Sequence, residues 1–136
     1  MMVVMSADNI IYSYGPADAI ADGLLTMAST KLQEELDVLA ASHSFTPGTV
    51  LFTASLCEEA EKRSVTLEDF AGPVIRRYVS LDWPPSKYPE DDAANRAALR
   101  DGDGRILVSY DLDGLTVWVI TESDRALTTV MLPADY

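Results

Sequence analysis

A chain of 136 residues, 48% of them hydrophobic, is sized for one domain with its own core, and that composition excludes a disordered polar tail. Its 22 acidic and 10 basic side chains leave a net charge of −12. Such a field repels phosphate backbones and anionic bilayers, so no direct nucleic-acid binding and no membrane association are expected, while a basic partner would be attracted. Acidity of this size also serves plain solubility.

Cys57 is the single cysteine, which rules out an internal disulfide and fits a reducing compartment. The opening MMVVM lacks the Lys or Arg of a signal peptide, and no later run reaches 18 uninterrupted apolar residues. The expectation is a cytoplasmic protein, with residues 1–8 a flexible tail and 9–136 a single domain.

In chain order, Ile10, Ile11, Tyr12, Ser13 and Tyr14 make a short strand candidate. A short helix over 17–22 follows, opened by Pro16 and closed by Gly23, and then an extended run over 24–28. Thr30 with Gln33 reads as a capping box. Leu32, Leu36, Leu39 and Ala40 behind it line one helical face, which should end before Pro47-Gly48. Residues 49–53 are rich in strand formers, and Ser55 with Glu58 suggests a cap for a helix to about Arg63. Thr66 and Asp69 cap a third helix whose stripe is Leu67, Phe70, Ala71, Val74, Tyr78 and Leu81. Pro73 inside it predicts a kink or a break. Trp83, Pro84 and Pro85 end that helix in an extended loop. Glu90, Asp91 and Asp92 then open a fourth helix that carries Arg96 and Arg100 toward its other end, as the macrodipole favours.

The last third holds three strand-like runs, 105–110, 115–121 and 127–132. Asp113-Gly114 is a two-residue hairpin signal, since both central positions of that turn need positive φ. It pairs Tyr110 with Val117 and Val108 with Val119. A second turn centred on Ser123-Asp124 pairs Val117 with Val130 and Leu115 with Leu132. Both turns put Ile106, Val108, Tyr110, Leu115, Val117, Val119, Val130 and Leu132 on one face, the expected core face. The opposite face carries Leu107, Trp118, Ile120, Leu127 and Met131, too apolar for water. Either a second layer covers it or it is an interface, and these five residues are the interface candidates. The fold class read from this pattern is a single α+β domain, its helices packed on a C-terminal three-stranded antiparallel β-meander that N-terminal strands could extend.

Candidate chemistry is sparse. Asp101-Gly102-Asp103-Gly104 and Asp111-Leu112-Asp113-Gly114 fail as calcium loops. With Gly104 at position 6, Leu99 and Tyr110 occupy the first and twelfth positions, and with Gly114 there, Ser109 and Ile120 do. His43, the only histidine, has no close-spaced partner for zinc. Glu58, Glu59 and Glu61 around Cys57 supply no cation that would activate a thiol, so a buried structural cysteine is expected. Arg76-Arg77 reads as helix surface, and Glu34/Asp37 and Asp91/Asp92 as solvated acids. No catalytic, cofactor or metal residue is assigned.

The segments Asn9-Ile-Ile-Tyr-Ser-Tyr and Ala19-Ile-Ala-Asp-Gly-Leu-Leu resemble the opening of small uncharacterised proteins of actinobacterial phages, plasmids and integrated elements. Thr128-Thr-Val-Met-Leu-Pro-Ala-Asp-Tyr is similar to that family's closing strand and acidic tail. The matches cover residues 9–25 and 128–136, and Gly15-Pro16-Ala17 departs from the more polar helix entry of the family. The resemblance carries no site residue over. It implies context: an accessory protein of a mobile element, acting inside a bacterium. The expectation is therefore a non-enzymatic acidic binding protein that inhibits or modulates a host protein, with mimicry of nucleic acid as one route. The alternatives are a small-ligand binder and a structural or assembly protein, a homodimer for instance, acting through the Trp118 face.

Overall fold

The computed structural model describes residues 16–136. The expected tail at 1–8 and the strand at 10–14 lie outside them. The elements in order are α1 (Pro16–Ala21), β1 (Leu25–Met27), α2 (Thr30–Ala41), β2 (Thr49–Thr53), α3 (Ala54–Lys62), α4 (Leu67–Val79), α5 (Pro89–Asp101), β3 (Ile106–Leu112), β4 (Leu115–Thr121) and β5 (Leu127–Met131), with a closing 3-10 turn at Pro133–Asp135.

The strands form one five-stranded mixed sheet in the order β1-β2-β5-β4-β3. This corrects the expected fold. The C-terminal meander is not a sheet by itself: β5 pairs on its other side with β2, in parallel, and β2 carries β1 antiparallel. Parallel pairing joins strands that are distant in sequence, so no turn motif announces it.

The β3–β4 register is the one Asp113-Gly114 dictates, with Val108 opposite Val119 and Tyr110 opposite Val117. Asp113 and Gly114 stand at φ 52° and 85°. The β4–β5 register differs from expectation by two residues: Val119, not Val117, faces Val130. The connection is a four-residue loop with Arg125 at φ 60°. A shift of two leaves every side chain on its face, so Ile106, Val108, Tyr110, Val117, Val119 and Val130 are all buried in the main core as expected. Helices α2, α3 and α4 cover them, with Leu32, Leu36, Leu56, Phe70, Ile75 and Tyr78 facing the sheet.

Two helix starts also differ. Ser29, not Thr30, caps α2, its hydroxyl accepting from the Leu32 N–H. Gln33 does not fold back on that cap but ties α2 to β2, accepting from the Val50 N–H (2.8 Å) and donating to the Gly48 carbonyl (3.0 Å). The reciprocal capping role falls to Glu68 of α4, which accepts from both the Ser29 N–H and its hydroxyl. Ser55 caps nothing. Its hydroxyl and that of Thr53 hold the Asp135 carboxylate, each at 2.7 Å. Helix α4 starts at the expected Thr66 cap and runs unbroken through Pro73. Pro73 and Asp69 are both exposed, so the bond lost between them lies on the outer side of the helix, and burial of the opposite face outweighs a local cost of about 3 kcal/mol.

The seam between β2 and β5 carries a buried polar string. Thr128 donates to the Pro47 carbonyl (2.6 Å), an atom that can only accept. Thr128 must therefore accept from Thr121 (2.7 Å), and Thr121 from Tyr78 (2.6 Å). Burial pushes the Tyr78 phenol well above its ordinary value, which keeps it the donor at the head of the string.

Candidate functional site

The second sheet face is only partly open. Ile120 and Met131 are fully buried, while Leu107, Trp118 and Leu127 are half-buried. α1 lies on this side, packing Ala19 and Ile20 with Leu25, Leu51 and Leu127. At the other end Tyr136 meets Trp118 edge-on, ring centres 5.7 Å apart. The structure thus covers part of the face with the chain's own α1 and C terminus, and spreads the five interface candidates between covered and half-open positions.

A cleft of about 320 Å³ lies beside the free edge of β3. One wall is Trp83, Pro84, Pro85 and Ser86, in the extended loop expected after the helix end. It is held at both ends. The Trp83 indole donates to the Tyr78 carbonyl (2.9 Å) and stacks on the Tyr78 ring, and Asp92 accepts the Ser86 N–H with both oxygens. The start of α5, with Asp91, Asp92 and Asn95, forms the second wall. Leu107 and Ser109 of β3 form the floor, and Arg105 and Tyr136 close the end. Arg105 donates to the Tyr136 hydroxyl (2.7 Å) and pairs with Glu122 at 3.6 Å.

Hairpin geometry fixes which backbone groups face this cleft. The two-residue turn makes Leu112 and Leu115 a hydrogen-bonded pair, so Tyr110, Val108 and Ile106 also bond inward to β4. Leu107, Ser109 and Asp111 therefore point their N–H and C=O groups outward. Asn95 satisfies the first of these: its amide donates to the Leu107 carbonyl (2.8 Å) and accepts from the Leu107 N–H (3.2 Å). Ser109 and Asp111 have no backbone partner among the described residues. Neither Asn95 nor the loop could be assigned from sequence, since a lone Asn in a helix and a Trp-Pro-Pro run carry no spacing signal.

Asp91 and Asp92, read from sequence as solvated acids, line the cleft, whereas Cys57, His43, Arg76 and Arg77 stand apart from it. Cys57 is half-buried rather than buried, with Thr26 as its contact at 3.7 Å, and exposed His43 sits 3.0 Å from the Leu39 carbonyl. Arg76 and Arg77 are each paired, with Glu35 and with Asp82. The Arg76 guanidinium holds the Glu35 carboxyl below its ordinary value, and Arg77 does the same for Asp82. Among the described residues no group of three or more His, Cys, Asp or Glu is placed to hold a metal ion, and no helix is long and apolar enough to cross a membrane. Comparison with protein families, with curated proteins and with solved structures finds no match for this chain.

Proposed function

We propose that this chain is a non-enzymatic, acidic accessory binding protein of a mobile element, working in the bacterial cytoplasm, and that it modulates a host protein bound at the β3 cleft. The cleft is the observation that carries this reading: a pre-formed hollow walled by Trp83, Pro84, Pro85 and Tyr136, types that give apolar contact at little entropic cost. Its polar groups support contact rather than turnover. Asp92 is spent on the Ser86 N–H, and Arg105 on Tyr136 and Glu122. The net charge of −12 and the resemblance at 9–25 and 128–136 support the same reading.

Capture from a bacterial lysate on immobilised protein, alongside a Tyr136→Ala variant, tests it. Tyr136 is 62% exposed, so its truncation should leave the fold intact. A host protein retained by the wild type and lost by the variant is the expected result. Retention that ignores Tyr136 would move the binding surface elsewhere, and no specific retention would remove the reading.

A further inference from the structure

We propose that the β3 cleft takes an extended cationic peptide, which adds as a sixth strand along Ser109 and Asp111. This rests on the reading of the cleft as a protein-binding site and names what fits there. The edge already shows its capacity for pairing, because the Asn95 carboxamide treats Leu107 as a neighbouring strand would, one bond to each backbone group. Beyond Asn95 that mimicry stops. The outward N–H and C=O groups of Ser109 and Asp111 continue the row with no partner among the described residues. An open row of this kind is a template for strand addition.

The surroundings set the chemistry of the occupant. A strand laid on this edge runs between the Trp83–Pro85 wall and Tyr136, so alternate side chains meet apolar surface. Asp91 and Asp92 line the cleft, and Asp111 lies further along its edge strand. None of the three enters a salt bridge among the described residues, so they outnumber the unbridged cation beside the same wall, Arg96. Arg105 at the closed end is paired with Glu122. A peptide that alternates basic with aliphatic residues satisfies both walls and edge. A second copy of this chain would satisfy the backbone but would bring another net charge of −12 to the same rim.

The test uses the full chain and two acetylated, amidated peptides of about eight residues. One alternates lysine with valine and the other glutamate with valine. Amide hydrogen exchange and backbone NMR shifts locate binding. The lysine peptide is expected to bind, to weaken with added salt, and to slow exchange at the Ser109 and Asp111 amides, while the glutamate peptide does not bind. Ser109→Pro removes an outward N–H and no ladder bond, so the variant should melt as the wild type does and bind about tenfold more weakly. Should that variant fold poorly, the double charge reversal Asp91→Lys and Asp111→Lys gives an independent readout, again with weakened binding of the lysine peptide. Binding that shifts Trp83 and Tyr136 but spares the Ser109 and Asp111 amides overturns strand addition and leaves the cleft reading standing. No shift anywhere in the cleft with either peptide removes both. Amides at Ser109 and Asp111 that already exchange slowly in the free protein, or a wild-type dimer that Ser109→Pro dissociates, overturn the proposal because the edge is then filled by this chain itself.

Discussion

The two sides of the sheet are held by different means. The β3–β4 hairpin closes on itself: seven residue pairs follow one another from a tight turn whose central residues adopt the required φ. The seam between β2 and β5 has no turn. It depends on a backbone contact at Gly48, on Gln33 reaching over from α2, and on a polar string linking Thr128 to Pro47 across 81 residues of chain. The hairpin can form from neighbours in sequence. The seam can form only once α2, β2 and β5 have met, so its closure entropy must be recovered from a few close contacts. Substitutions at the seam should therefore cost more than chemically similar ones in the hairpin.

The largest effect is expected at Gly48. A Cβ there would lie 2.3 Å from the Ala126 carbonyl oxygen, and φ is +68°. Neither strand can retreat without losing the Thr49 N–H bond to the same Ala126 carbonyl. Gly48→Ala should cost about 3 kcal/mol, strain and overpacking together, in urea denaturation. A loss below about 1 kcal/mol would mean that the seam is compliant, and the contrast with the hairpin would fall.

The polar string gives the next test, and it has a direction. Thr128→Val orphans the Pro47 carbonyl and the Thr121 hydroxyl proton in a buried place, for about 2 kcal/mol. Tyr78→Phe removes only the donor at the head, leaving Thr121 and Thr128 bonded onward, for about 1 kcal/mol. Equal losses would show that the string does not run from Tyr78 to Pro47. In the hairpin, a Cβ added at Gly114 meets no atom within 4 Å, so Gly114→Val faces no clash at that atom. Its cost is conformational alone, about 1 kcal/mol or slightly more, because a β-branched residue resists φ near 85°.

The same contrast explains what could be read from the sequence. Asp113-Gly114 specified a register because the turn and the strands it joins are contiguous. The core face survived an error of two at the next turn because side chains repeat every second residue. That error arose because Arg125, with no glycine beside it, takes the left-handed conformation. Its guanidinium there donates to the carbonyls of Ala98 and Gly104, contacts that no local pattern announces. Thr66 was legible as a cap, being followed by a strong apolar stripe. Ser29 was not, because its reciprocal partner is Glu68, 39 residues away. The cleft was illegible for the same reason. It is assembled from a loop, a helix start, an edge strand and a C terminus, and no one of these carries a motif.

The smallest expected effect lies between helices and concerns pH. Glu35 on α2 accepts from Arg76 on α4, which helps hold α2 over the seam. The hydrogen bond from Arg76 lowers the Glu35 carboxyl from its ordinary value of 4.5. A carboxyl lowered in the folded state stabilises above its unfolded value, and that contribution is lost as pH falls through the folded one. Both partners are well exposed, so the contribution is small and salt-screened. Glu35→Gln should accordingly melt slightly below the wild type at neutral pH and low salt. The difference should persist as the pH drops toward 4.5 and close only below it. Melting curves of the two proteins between neutral pH and pH about 3 would check this. A gap that widens on acidification would mean that Glu35 is held by something other than the Arg76 guanidinium.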